Sequence, residues 1–397
     1  FPLTSIPAPT AAHKEPPVMQ SRAHQLLGLG QSVWLDFIRR GHLLSGEFDA
    51  LVRDAGVVGV TSNPTIFQQA IAKSADYDEA IAAGIRAGLV GEPLFEALAI
   101  EDIQMACDRL RPLYDASNGL DGRVSLEVSP RLAHDSEGTL AAARRLFAAV
   151  ARPNVMIKIP ATREGLPAIA SAIADGISVN VTLIFTLERY REVMEAYLSG
   201  LERRAAAGGA LDGIRSVASF FISRVDSKID AAIDARLATL PAGSTERAEL
   251  EGLRGKAAVA NARLAYAAYE EVFGAARFHA LRATGAHVQR PLWASTSTKN
   301  PSYRDVLYVE ELIGPDTVNT MPPVTLDAFN DHGVVESRIQ RDVAGSRAAL
   351  DRLPALGVPA ADLIGQLEAE GVKAFIASYE DLLATLEAKR TALGAQR

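Results

Sequence analysis

The run Val155-Met156-Ile157-Lys158-Ile159-Pro160 sets a lysine among residues that favour burial. Val155, Ile157 and Ile159 share one phase of a two-residue alternation, and Lys158 takes the other. A lysine so flanked has no easy route to water, and burial disfavours the ammonium form. A neutral amine is a nucleophile that gives a Schiff base with a ketone or aldehyde. Taken alone, the six residues fit better a strand end whose lysine stem reaches solvent. The segments on either side change that balance.

Working outward from Lys158, short apolar runs alternate with helical stretches from Ser32 onward. Eight candidate strands fall near 32–38, 57–62, 123–128, 155–160, 177–184, 216–223, 291–296 and 318–322. Between them, Gly138 to Val150 and Leu187 to Ala207 carry apolar residues at three- and four-residue spacing, the mark of a helix with one buried face. Long helical insertions are expected at Pro93 to Leu113 and Ser244 to Arg282, and one or two closing helices from Ala360 to Leu393. Alternating strands and helices give a parallel sheet, and eight such units give an α/β fold of the (β/α)8 barrel type. An open, doubly wound sheet is the alternative. No G-x-G-x-x-G or G-x-x-x-x-G-K-[ST] loop follows a strand, which counts against its nucleotide-binding versions.

The polar residues on the strands share a phase. Asp36 opposes Val33 and Leu35; Thr61 and Asn63 oppose Val58 and Val60; Glu127 opposes Val124 and Leu126. Asn180 and Thr182 oppose Val179, Val181 and Leu183, while Ser219 and Phe221 oppose Ala218 and Phe220. If the apolar phase meets the helices, the polar phase converges inside the barrel. Buried charges there need partners, and barrel enzymes place catalytic groups where strands run into loops. A structural network around a buried lysine–carboxylate pair is the bland reading of the same residues.

Composition removes several other classes. With 41 Lys and Arg against 48 Asp and Glu, the net charge of −7 does not suit a general nucleic-acid binder. The single cysteine, Cys107, allows no intrachain disulfide and fits a cytoplasmic protein. The seven histidines show no zinc-ligand spacing, so no metal is expected. No apolar stretch is long enough for a membrane helix. Residues 1–20 contain five prolines and read as a flexible leader before a barrel domain over 21–397. The start at Phe1 fits a processed chain or a part of a longer product.

Four segments, in this order, resemble the transaldolase family: Gly59 to Phe67 (GVTSNPTIF), Val124 to Asp135 (VSLEVSPRLAHD), Val155 to Leu166 (VMIKIPATREGL) and Ser178 to Phe185 (SVNVTLIF). Trp293 to Tyr303 (WASTSTKNPSY) and Asn319 to Pro323 (NTMPP) are similar to the longer bacterial-type members. The resemblance runs from about Ser21 into the closing helices. It implies a circularly permuted class I aldolase barrel with its Schiff-base lysine on the fourth strand and no cofactor. It also implies transfer of a dihydroxyacetone unit between sugar phosphates in the pentose phosphate pathway.

On that resemblance Lys158 is the nucleophile, and Glu127 serves carbinolamine dehydration through a water held by Thr182. Asp36 takes the C4 hydroxyl proton. Asn63, Asn180 and Ser219, with Thr61, are expected to hold the three-carbon unit, and Phe221 to shield it. Arg224, Ser295 and Lys299 are candidates for the phosphate, with an Arg224–Asp226 salt bridge as the bland reading of the first. The segment Ser295-Thr296-Ser297-Thr298-Lys299 departs from the Ser-x-Arg anchor of shorter relatives, which leaves the phosphate ligands open. Trp34 and Trp293 read as packing, His134 and His332 as surface groups, and Glu164 as a helix start. Two other functions stay open: a Schiff-base aldolase of the same fold, and a non-catalytic barrel. A monomer and a homodimer are both compatible with the sequence.

Overall fold

A computed structural model describes residues 20–394. Apart from Gln20, the expected leader lies outside the described residues. Eight parallel strands close into a barrel in sequence order: β1 (Gln31–Leu35), β2 (Gly59–Val60), β3 (Arg123–Glu127), β4 (Val155–Pro160), β5 (Val179–Ile184), β6 (Ser216–Phe221), β7 (Gln289–Ala294) and β8 (Thr317–Met321). Closure through β1–β8 pairing, from Gln31↔Thr317 to Leu35↔Met321, excludes the open sheet. Each expected strand is present. The ends differ where a side chain or a backbone turn stops pairing. The second strand shrinks to two residues because Asn63 caps the helix Pro64–Ala72, accepting from Ile66 N at 3.0 Å. The seventh ends at Ala294 because Ser295 adopts a left-handed conformation, φ 58°.

All six residues of β4 are buried, as expected when helices cover a parallel sheet outside and side chains fill it inside. The phases separate as the alternation requires. Phe220 faces outward, its ring edge-on to Tyr190 of the helix Leu187–Ala206 at 5.8 Å and to Trp293 at 6.3 Å. Trp34 and Trp293 are fully buried and serve packing. Leu183 departs from the alternation. It has φ 61°, and the β5–β6 register shifts between Val181 and Ile184. This bulge takes its side chain out of the helix-facing row and towards Gly371.

Asp135 caps the helix Ser136–Val150 and Thr186 caps Leu187–Ala206, each accepting from the backbone N–H three residues on. The first insertion is one helix, Gly91–Ala116; the second is three, Thr245–Leu253, Ala257–Phe273 and Ala276–Arg282. The closing stretch is a single helix, Ala360–Gly394, which packs on Pro64–Ala72, on Asp78–Arg86 and on Ser223–Leu237. It therefore lies across the end of the barrel where the strands run into their following helices. Among the described residues no helix is long and apolar enough to cross a membrane.

Candidate active site

Register brings the polar phase together. Glu127 on β3 is paired with Lys158 on β4, and Lys158 with Asn180 on β5. Lys158 Nζ lies 3.2 Å from Glu127 Oε2, with each side chain 5% exposed, and donates to Ser62 O at 3.1 Å. Below them Asn180 donates to Ser125 Oγ at 3.0 Å and accepts from Ser219 Oγ at 2.7 Å. Asp36, just beyond β1, accepts from Thr61 Oγ1 at 2.7 Å, and Thr61 Oγ1 lies 2.6 Å from Thr320 Oγ1.

Above Lys158 a cavity of about 360 Å³ opens at the C-terminal end of the strands. Ten of the twelve residues expected at the site line it: Asp36, Thr61, Asn63, Lys158, Thr182, Ser219, Phe221, Arg224, Ser295 and Lys299. Glu127 and Asn180 do not. Glu127 sits behind Lys158, and Asn180 lies in the hydrogen-bonded layer beneath it. Thr182 Oγ1 is buried without a hydrogen-bond partner, and Glu127 Oε2 has none besides the Lys158 amine. A buried polar group in that position calls for a water or a ligand atom.

Both carboxyls titrate above their ordinary values. For Glu127 and for Asp36 burial is the largest cause, and the Lys158 charge only partly offsets it. Asp36 is further held down by the Thr61 hydrogen bond and by Lys299.

The rim carries the cations. Arg224, in the first turn of the helix Ser223–Leu237, lies over the rings of Phe221 at 5.3 Å and Phe375 at 6.0 Å. It has no salt bridge to Asp226, which is buried and accepts instead from Ala258 N at 2.7 Å and Tyr308 Oη at 2.8 Å. Burial lowers the Arg224 pKa, and no carboxylate pairs with it among the described residues. Ser295 Oγ lies 2.9 Å from Ser223 Oγ, and Lys299 Nζ donates to Ser297 Oγ at 2.7 Å. His134 and Glu164 pair with each other in the open at 3.1 Å, and His332 pairs with Asp305 at 2.9 Å, away from the cavity.

Gln69, Thr320 and Phe375 also line the cavity and were not foreseen. Extending the phase analysis to the eighth strand would have found Thr320, which pairs in register with Trp34. Phe375 stands on the closing helix with its ring centre 5.8 Å from Lys158 Nζ. No local pattern in the sequence marks that approach.

A closed parallel barrel with a buried amine and two carboxyls at the C-terminal end of its strands defines a (β/α)8 enzyme of the aldolase type. A family model described as Transaldolase/Fructose-6-phosphate aldolase matches residues 33–386. Transaldolase 1 of Streptomyces coelicolor is 54% identical, covering 91% of this chain and 93% of its own length. Transaldolase of Thermobifida fusca is 53% identical, covering 92% and 97%, and Transaldolase 2 of Nostoc is 48% identical, covering 91% and 95%. The chain belongs to the transaldolase/fructose-6-phosphate aldolase family and is an enzyme, a transferase of the transaldolase kind.

Proposed function

We propose that the chain transfers a dihydroxyacetone unit from fructose 6-phosphate or sedoheptulose 7-phosphate to an aldose phosphate, through a Schiff base on Lys158. The observation that carries this reading is the amine at the floor of the cavity, 3.2 Å from a carboxylate oxygen that has no other partner. Lys158 Nζ attacks the donor C2 carbonyl and forms a carbinolamine. Glu127 then protonates the departing hydroxyl through a water seated between its carboxyl group and Thr182 Oγ1. Its raised pKa suits a group that must first hold a proton and then return it.

The resulting iminium is cationic and draws the Asp36 pKa down, so Asp36 becomes the base for the C4 hydroxyl. As that proton leaves, the C3–C4 bond breaks, the aldose departs, and the electron pair moves into an enamine on Lys158. The acceptor aldehyde reverses these steps. Asn63 has its oxygen committed to the helix cap, which leaves its amide N–H groups for the sugar. Ser219, on β6, lines the same cavity, and Asn180 supports Ser219 by accepting from its hydroxyl. Arg224, Ser295 and Lys299 receive the phosphate at the rim. Phe221 has no hydroxyl to protonate the enamine, which favours transfer over release of free dihydroxyacetone. We place the enzyme in the cytoplasm, where its one buried cysteine and sugar-phosphate substrates belong, with residues 21–397 as one barrel domain.

Borohydride reduction in the presence of fructose 6-phosphate tests the proposal. Intact mass should show a three-carbon adduct, absent from Lys158→Ala, and turnover should require erythrose 4-phosphate. An unmodified wild-type chain would overturn the Schiff base. Turnover without an acceptor would make the chain an aldolase.

A further inference from the structure

The opposite end of the barrel holds a larger cavity, about 430 Å³, at the N-terminal ends of the strands. Arg123 opens β3, Arg215 immediately precedes β6, Arg290 is the second residue of β7, and Arg282 ends the helix Ala276–Arg282. All four line this cavity, together with His287. Arg123 is 1% exposed, Arg290 6% and Arg215 8%. Four guanidiniums converging where three are buried is costly unless negative charge meets them.

The protein supplies little of it. Asp121 is 3.5 Å from Arg290, and the exposed Asp212 and Asp316 stand at the margin. Among the described residues Arg123, Arg215 and Arg282 have no carboxylate in salt-bridge contact. Their donors are partly spent on local groups: Arg123 Nε on Gly119 O at 2.7 Å, and Arg215 Nη2 on Asn118 O at 2.8 Å. Three donor atoms remain buried and unpartnered, Arg123 Nη2, Arg215 Nε and Arg290 Nε, and Arg290 Nη1 has only the 3.5 Å approach to Asp121 without a hydrogen bond. The local potential is felt by the titrating groups. Burial lowers the Arg123 pKa to about 10, with Tyr114 opposing and Arg215 adding to it, and burial followed by Arg215 and Arg123 lowers that of His287.

We propose that this cavity is a second anion site, which binds the dianionic phosphate group of a small molecule at the end of the barrel remote from Lys158. Planar guanidiniums with free N–H groups match phosphate oxygens in geometry and charge. The volume lies in the range of small-molecule sites and exceeds what a bare phosphate fills. Trp34, Leu120, Ala286 and Val288 supply an apolar wall for the carbon part of an ester. The inference does not depend on the chemistry at Lys158.

Calorimetric titration of the full chain with inorganic phosphate, and separately with glycerol 3-phosphate, tests it. Wild type should show a set of sites whose Kd rises about tenfold or more in Arg282→Ala and in Arg215→Gln, by the ordinary strength of a charge-assisted hydrogen bond. That set should be untouched by Lys299→Ala at the other mouth. Arg282 is exposed, so its variant keeps the fold and carries the test if Arg215→Gln does not. Equal affinity for both probes would assign the site to free phosphate, and tighter glycerol 3-phosphate to an ester; either supports the site. Binding unmoved by Arg282→Ala, or removed entirely by Lys299→Ala, would overturn it and leave the arginines as ties between loops.

Discussion

Two buried ion pairs in this molecule have nearly the same exposure and opposite characters. Lys158 and Glu127 are each 5% exposed; Arg40 and Asp102 are 6% and 0%. Around Asp102 each oxygen is partnered: Arg40 Nε donates to one at 2.7 Å and Tyr77 Oη to the other at 2.8 Å. Arg40 also donates to Leu98 O at 3.2 Å and meets Glu101 at 2.7 Å. Around Glu127 and Lys158 the network is left unfinished: Glu127 Oε2 meets only the Lys158 amine, and Thr182 Oγ1, on the cavity wall, has no partner. The pKa directions do not separate the pairs, since burial raises both Glu127 and Asp102, the latter to about 6. Completeness of hydrogen bonding does. A closed network holds the fold, whereas an open one has room for a substrate.

The comparison breaks most sharply at Lys158, the proposed nucleophile. Lys158→Ala should lower turnover by on the order of 10⁵-fold, as removing a covalent nucleophile does. It should leave the denaturation midpoint close to wild type, because the abandoned Glu127 can take a proton. A coupled assay and a urea titration on the same preparation measure both. Glu127→Gln, which keeps shape but cannot shuttle a proton, should cost about 10²- to 10⁴-fold in kcat. Its borohydride adduct should form slowly; formation at the wild-type rate would move dehydration to another group.

On the other side, Asp102→Ala leaves the buried Arg40 guanidinium, which cannot discharge, with only the exposed Glu101 for a counter-charge, and removes the acceptor of Tyr77 Oη. A loss of about 3–5 kcal/mol in folding stability is expected, with kcat per folded molecule unchanged. Urea unfolding gives the first and active-site titration the second. If Asp102→Ala and Lys158→Ala destabilise equally, the distinction between closed and open networks fails.

Much of this contrast was legible in the sequence, because period-two alternation on a strand is a direct consequence of backbone geometry. It placed Asp36, Glu127 and Lys158 inside one barrel, and eight strands where eight are found. What alternation cannot see is a break in itself. Leu183 turns at a bulge, and nothing in Val181-Thr182-Leu183-Ile184 announces a positive φ. Nor does it measure depth along a strand: Asn180 and Thr182 share a phase, yet only Thr182 reaches the cavity. Contacts between distant elements were also hidden. Phe375 reaches Lys158 from a helix more than two hundred residues later in the chain. The clustering of the arginines at the far end escapes a strand-by-strand reading, because it exists only once the barrel closes and brings the starts of β3, β6 and β7 to one mouth.

The smallest effect sharpens the rule by asking what a closed network costs when no cation belongs to it. Asp226 is buried, accepts from Ala258 N and Tyr308 Oη, and has no basic partner among the described residues, so burial lifts its pKa to about 6. Between the ordinary carboxylate value and about 6 the native state keeps a proton that the unfolded chain has released. Stability must then fall as pH rises through that window and level off above it, by up to about 3 kcal/mol for this group alone. Asp226→Asn keeps an acceptor for Ala258 N and offers an N–H to Tyr308 Oη, so it should remove that slope while sparing the fold. The measurement is the difference in unfolding free energy between wild type and variant at pH 4, 5, 6 and 7, which cancels the other carboxylates. The variant should gain on wild type steadily up to about pH 6 and hold its advantage at pH 7. A difference that stays flat would mean that two hydrogen bonds suffice to keep a buried carboxylate charged without cost. The unfinished network around Glu127 would then need a reason other than the energetics of burial.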